Sequence, residues 1–394
     1  MSKLDTPTAV AFRGSKCEVG ELAADQPASN VQNTIANYMP HLGMDEQALA
    51  NHLIEPCFLP AAAPASGTAS AVVQYKDQAM PVALELAVAF QAASMAHYAC
   101  AQVVSQGGKA GTPPDFKLAL AVPTYFNARQ IAALQDASAI AGFEQPLLVA
   151  AADALAHEYL SRHKGDLGSI INTTAFRQRH VAVVDIGHCS ASAVVVRYWL
   201  EEGVEGVQIK VITAAAEVGA GAGALDEVLL AHFRAQVEEK YGDGTCSGPK
   251  ATSRLSKACE RIKKMLSTID SSKVSVDGLI PDQDVTLELS RGQLENMAAR
   301  VCLRIKELMA RVVTACHFEE GVALDVLEIV GGGTRIPCVA EAVQQGIAGR
   351  GGVELPLSKT LDSNTAVCLG CFPSPLPCPP PPLPIPSPQN LLHS

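Results

Sequence analysis

The segment Glu328-Ile329-Val330-Gly331-Gly332-Gly333-Thr334-Arg335-Ile336-Pro337 constrains the fold more than any other part of the chain. An apolar run, three consecutive glycines and a proline placed to open a helix read as a buried strand turning tightly into a helix. Backbone without Cβ atoms can approach a phosphate or ribose closely, and a helix N-terminus favours negative charge. On its own the same pattern also fits a tight structural turn. A second run, Val181-Ala182-Val183-Val184-Asp185, is a continuous apolar strand that ends in an acid and runs into Ile186-Gly187-His188-Cys189-Ser190. An acid there can face a magnesium ion through water, since that ion keeps several waters and few protein carboxylates. It can equally cap the turn.

Around these strands the pattern alternates. Residues 1–20 read as a hairpin broken at Gly14, and residues 60–70 as a small-residue loop. A helix is expected over about 81–104, a short strand over 118–122, and helices over 128–141 and about 149–163. Residues 165–179 read as a polar loop, and 193–199 and 207–214 as neighbours of the 181–185 strand. Leu225–Tyr241, Ser253–Leu266 and Gln293–Cys316 have helical spacing. Strands alternating with helices define an α/β protein, and two strand clusters on either side of the 165–178 loop define two lobes.

Composition closes off several functions. Hydrophobic residues make up 48% of the 394 and charged residues 18%, enough apolar material for a sizeable core. The net charge of −10 argues against a nucleic-acid binder that works by neutralising phosphates. The most apolar window, 81–104, carries Glu85, Gln91 and His97 and reads as a packed, alanine-rich helix, not a membrane span. No apolar leader is expected in LDTPTAVAFRG after Lys3. The 12 scattered cysteines fit reduced thiols of the cytoplasm or nucleus. Cys368 and Cys371 make one CxxC, a redox pair or half of a zinc site, without a second pair at zinc spacing. From Phe372 the proline-rich tail, 372–394, is expected to be extended and disordered, and is a candidate ligand for SH3 or WW domains.

Two further patterns carry possible chemistry. Gly219-Ala-Gly-Ala-Gly-Ala224 mimics a dinucleotide fingerprint, but lacks the following strand and ribose-binding acid of a βαβ unit. Cys259-Glu260-Arg261-Ile262-Lys263-Lys264-Met265-Leu266-Ser267 puts Glu260, Lys263, Lys264 and Ser267 on adjacent helix positions. That face could grip ribose hydroxyls and lie against an adenine, or it could be a solvated charged face.

Taken together, these segments resemble the nucleotide-binding domain of the heat shock protein 70 family. Val122-Pro123-Thr124-Tyr125-Phe126-Asn127 is similar to the family's VPAYFN, Asp185-Ile186-Gly187 to the start of DLGGGT, CERIKKMLS to ERAKRTLS, and VGGGTRIP to VGGSTRIP. His188 resembles the large, hundred-and-ten-kilodalton branch. The resemblance covers about 5–371 and implies an actin-like fold: two ribonuclease-H-type lobes around a cleft holding ATP or ADP with magnesium. The first lobe would cover 1–175 and the second 176–371, returning to the first lobe at its end. By resemblance, Asp185 faces magnesium and the attacking water, with Gly187 and Ser190 beside it. Glu260, Lys263, Lys264 and Ser267 hold ribose and adenine, and Gly331, Gly332, Gly333, Arg335 and Ile336 line the adenosine and phosphate side.

The departures from the family matter as much. Its first strand and phosphate turn, GIDLGTT, have no counterpart here. Met39 stands where the catalytic lysine belongs, Ala151 where the magnesium-linked glutamate belongs, and Asn364 where an aspartate is usual. Phosphoryl transfer depends on positioning and electrostatics, so very slow or absent hydrolysis is expected. The resemblance leaves open an ATP-binding chaperone domain, a non-catalytic exchange partner of another heat shock protein 70 chaperone, or a truncated chain with an open edge in the first lobe.

Overall fold

The structure, a computed structural model, describes residues 6–26, 28–50, 52, 58, 60–62, 68–105, 107, 117–174, 177–280, 283–318, 322–348 and 355–372. The chain starts as a hairpin, β1 (Ala9–Arg13) and β2 (Lys16–Val19), which turns at Gly14 with φ +58°. After α1 (Glu21–Ala24) and a 3-10 turn at Ala28–Asn33, β3 (Thr34–Ala36) takes the other edge of β1. A second 3-10 turn, Met39–His41, and α2 (Glu46–Ala50) lead to an antiparallel sheet of β4 (Pro60–Ala62), β5 (Ala69–Tyr75) and β6 (Gln78–Ala83). Two expectations are corrected here. Pro60–Ala62 is strand and not loop, and the helix expected from residue 81, α3, spans Leu84–Ser105. Pro81 lies in β6, an edge strand, where a missing N–H is tolerated.

β7 (Ala119–Val122) and β8 (Leu147–Ala150) are parallel and joined by α4 (Ala128–Ile140). Asn127 and Gln130 form a reciprocal capping box at the start of α4, and Gly142, at φ +91°, follows its end. The helix expected from about 149 is α5 (Ala151–Arg162), because β8 takes the residues before it. The loop expected over 165–179 contains a helix, α6 (Leu167–Thr173), held by the burial of Leu167 and Ile171. Its polar residues concealed a one-sided helical pattern.

The second half is built on one five-stranded sheet. Its strands are β9 (Gln178–Ile186), β10 (Ser190–Leu200), β11 (Val207–Val218), β14 (Val326–Val330) and β15 (Leu357–Ser358). Between them lie α7 (Ala222–Tyr241), α8 (Pro249–Leu266), the hairpin β12 (Ser271–Ile280) and β13 (Gln283–Ser290), and α9 (Arg291–Ala315). α10 (Pro337–Ala348) connects β14 to β15, and α11 (Ala366–Gly370) follows. The sheet order is β11-β10-β9-β14-β15. The first three strands are antiparallel, and β14 and β15 run parallel to β9, which is the ribonuclease-H-type order.

Alternate residues of β9 explain its unbroken apolar run. Ala182, Val184 and Ile186 join the core with α7, α8, α9 and α10, while Val181 and Val183 join the core with α5, α6 and α11. A strand covered on both faces needs apolar residues at every position. The first lobe has its own core, including Val10, Phe12, Ile35, Tyr38, Leu84 and Leu134. Among the described residues, no helix is long and apolar enough to cross a membrane. The proline-rich segment after Phe372 lies outside the described residues.

Candidate functional site

The two glycine-rich signals come together because β9 and β14 are parallel neighbours, with Val330 in register with Asp185. Their C-terminal turns therefore leave the sheet side by side. Gly331 has φ +85°, and a Cβ there would lie 2.4 Å from Asp185 Oδ1 and from Ile186 O. A Cβ on Gly333 would meet Ile186 Cγ2 at 2.5 Å. Those two glycines let the 331–335 turn seat on the strand end, whereas Gly332 faces open space. Thr334 Oγ1 donates to Gly331 O at 2.7 Å, and Gly331 N–H to Ser363 O at 3.2 Å. Arg335 is exposed, and Ile336 is buried in the core of the second lobe.

Asp185 is the charged group that the sheet brings to this junction. Burial pushes its carboxyl up to about 6. Among the described residues no ion pair offsets that burial. A half-buried carboxylate without a cation suits a nearby metal-bound water.

The turn after β9 is closed by Gly187 N–H donating to Ser190 O at 3.0 Å. It rests on the start of α7: Ala222 N–H donates to Gly187 O at 2.9 Å, and Gly223 N–H to His188 O at 2.8 Å. A Cβ on Gly221 would come within 2.3 Å of His188 O. The fingerprint-like Gly219–Ala224 run is thus explained by close packing. Two of the N–H groups at this helix start are already spent on the 187–190 turn and are not available to a pyrophosphate. Arg304 locks the other side of the same junction, donating to Glu217, to Val218 O and to Gly219 O.

The charged face expected on α8 is divided. Lys263 is buried; its Nζ lies 2.5 Å from Asp226 Oδ2 and 3.0 Å from Ala222 O, so it ties α8 to α7. Burial raises the Asp226 carboxyl, partly offset by Lys263. Lys264 and Glu260 remain outside and pair with each other at 2.6 Å. Burial acts to raise Glu260, but the hydrogen bond and charge of Lys264 and the charge of Lys263 outweigh it and hold the carboxyl low. Ser267 donates back to Lys264 O at 2.6 Å.

Sequence reasoning gave no account of His188 as a meeting point. The ring lies in the combined field of Asp226, Lys263 and Glu260. Its Nε2 is 3.2 Å from Asn37 Nδ2, in the first lobe. Tyr125, in the turn between β7 and α4, lies within electrostatic range of Cys189. The VPTYFN, DIGHCS and CERIKK segments therefore converge on one junction between the lobes. No short-range signal could have found Asn37 or Asp226, since each acts through a residue far away in sequence.

The remaining positions contribute no charge. Met39 packs against the first-lobe core, and Ala151 is the half-buried first residue of α5. Asn364 is exposed in a turn where its N–H donates to Asp362 Oδ1 at 3.0 Å. In the CxxC, Cys368 is exposed while buried Cys371 donates to Val367 O, and among the described residues no group of side chains is arranged to hold a metal. The residues fit a magnesium nucleotide on the side of Asp185 and the glycine turn, and not on the side of Met39 and Ala151.

The sheet order and the paired strand-end turns define a two-lobed α/β protein of the actin-like, ribonuclease-H-type ATPase class. The chain belongs to the heat shock protein 70 family: the family described as Hsp70 protein matches residues 1–372. It is 27% identical over 375 residues to a heat shock protein homolog of Eremothecium gossypii, covering 94% of this chain and 50% of that protein. It is 26% identical over 371 residues to heat shock protein 88 of Dictyostelium discoideum, covering 93% and 44%. A match to heat shock 70 kDa protein 16 of Arabidopsis thaliana is 28% identical over 258 residues, 64% of this chain and 30% of that one. The chain spans about half the length of the first two.

Proposed function

We propose that this chain is the nucleotide-binding part of a heat shock protein 70-type chaperone, divided into lobes at about 175/176, and that it holds ATP or ADP with magnesium but hydrolyses ATP very slowly or not at all. The observation that carries this reading is the half-buried, uncompensated Asp185 carboxylate set against the Gly331–Gly333 turn. A magnesium ion would supply the charge that Asp185 lacks, and the exposed Gly332 would leave room for the nucleotide. Of the expected ribose and adenine contacts on α8, Glu260 and Lys264 face outward, with Ser267 one turn on. Met39 and Ala151 bring neither cation nor carboxylate to the reacting phosphate, and transfer relies on such groups.

A second reading, a non-catalytic binding module acting as exchange partner for another heat shock protein 70 chaperone in the cytoplasm, is favoured by the same apolar Met39 and Ala151. A thermal melt with and without magnesium ATP, paired with a single-turnover assay, separates the two. Ligand at about a hundredfold excess over Kd stabilises by roughly 2.7 kcal/mol. The first reading expects a clear rise in Tm with turnover far below that of an ordinary chaperone. A cooperative melt unmoved by nucleotide, together with capture of a seventy-kilodalton chaperone, selects the second, and ordinary turnover overturns both.

A further inference from the structure

Outside the nucleotide junction, α9 and α10 bring two cysteines, Cys302 and Cys338, side by side. The helices run in the same direction and pack closely. At one end Cys302 Sγ lies 3.5 Å from the carbonyl oxygen of Cys338. About two turns further along both helices, Gly346 sits so tightly on α9 that a Cβ would lie 2.6 Å from Met309 Cβ and 2.8 Å from Lys306 O. Such an approach allows the Cα separation of about 4.4–6.8 Å that a disulfide requires. Both cysteines are partly exposed, so a small oxidant can reach them. The bond to the Cys338 carbonyl uses the Cys302 thiol proton and so turns that sulfur toward Cys338.

We propose that Cys302 and Cys338 form a reversible intramolecular disulfide, a modification site that locks the first turn of α10 to α9. Cys338 is the second residue of α10, directly beyond the Gly332–Arg335 turn. The bond would therefore anchor the helix on which that turn is carried. This inference does not depend on nucleotide binding.

The contact makes the two sulfurs unequal. The neighbouring Cys338 thiol holds the Cys302 thiol below its ordinary value, against burial and the carboxylates of Glu341 and Glu295. The same contact and burial raise Cys338. Cys302 is thus the attacking sulfur. With hydrogen peroxide as oxidant, the Cys302 thiolate attacks one peroxide oxygen; the O–O bond breaks and a sulfenic acid and hydroxide form. Cys338 then attacks the sulfenic sulfur, the S–S bond forms, the S–O bond breaks, and the departing hydroxide takes the Cys338 proton as water. Two thiols lose two electrons and two protons, and one peroxide becomes two waters. A dithiol reductant reverses the step by exchange.

The sequence suits a direct test on the full native chain. Trypsin releases Cys302 in Val301–Arg304 and Cys338 in Ile336–Arg350, each with one cysteine. Peroxide treatment, quenching with N-ethylmaleimide and non-reducing mass spectrometry are expected to give these two peptides joined, with the link lost after dithiothreitol. Cys302→Ser and, independently, Cys338→Ser should abolish the link. The oxidised chain should melt at a higher temperature than the reduced one, and either variant should lose that rise. If both peptides carry maleimide or stop at sulfenic acid while other cysteines oxidise, or if the joined peptide is no commoner than links among the remaining cysteines, the proposal is wrong.

Discussion

Two titratable residues, half-buried Asp185 and fully buried His41, act on stability in opposite directions as pH changes. Asp185 has a folded-state pKa of about 6 against an ordinary 3.8. The folded chain therefore holds this proton more tightly, and stability falls as pH rises from near 4 through 6. At neutral pH the cost approaches about 3 kcal/mol, at about 1.4 kcal/mol per pKa unit. Asp185→Asn removes the charge at nearly constant shape, so the ligand-free variant should be more stable than the parent at pH 7.5, with the difference shrinking toward pH 4. Urea unfolding at both pH values checks this; a variant less stable at pH 7.5 would contradict it. His41 works the other way. Its ring is fully buried with neither nitrogen hydrogen-bonded, and it packs edge-on to His52 and Phe58. Burial, and then the charge of His52, lower its pKa from 6.5 to about 4. The unfolded chain gains this proton first, so stability is lost as pH falls from 6.5 toward 4, by about 2 kcal/mol at pH 5. His41→Leu should flatten that loss, measured as the change in unfolding free energy between pH 7 and pH 5.

At the scale of elements, the parts legible in the sequence were those whose pattern is set locally. Val181–Asp185 and Val326–Val330 are buried on both sides, so their apolar runs stand out. Asn127 and Gly142 mark the ends of α4 in the chain itself. β12 and β13 were less legible, although their residues alternate buried and exposed, because serine, aspartate and lysine fill the exposed positions. The inward turn of Lys263 was not legible at all, since it depends on Asp226, 37 residues away on α7. The Gly219–Ala224 run shows how one pattern can serve different ends. Gly221→Ala would press a Cβ against His188 O, and against Ser190 N at 2.7 Å, both backbone atoms that cannot swing aside. Overpacking of this kind costs about 1–3 kcal/mol, so Gly221→Ala should lower Tm by several degrees. Gly332→Ala meets nothing within 4 Å and should leave Tm almost unchanged. Equal melting of the two variants would refute the packing account of the run.

Across the whole molecule, the lobes meet at the turn that follows β9. Asn37 reaches His188, Tyr125 lies near Cys189, and the Ala28–Asn33 turn packs on α8. Asn37 holds a left-handed backbone, φ +52°, which asparagine tolerates better than most residues and glycine adopts freely. Asn37→Gly therefore removes the side chain from the junction without straining the turn, whereas Asn37→Ala would add backbone strain to the loss of the contact. Its amide nitrogen lies 3.2 Å from the His188 Nε2. An exposed hydrogen bond of this kind contributes about 0.5–1.5 kcal/mol net, too little to unfold either core. Its loss should show in the closure of the lobes: amide hydrogen exchange in Asn37→Gly is expected to speed up in the 28–37 segment and the 186–190 turn, while the β9 and β14 core stays protected. His188→Ala should give the same exchange pattern, and the double variant no more than either single one, because each removes the same contact. Independent, additive acceleration in the double variant would show that Asn37 and His188 do not hold the lobes together through each other.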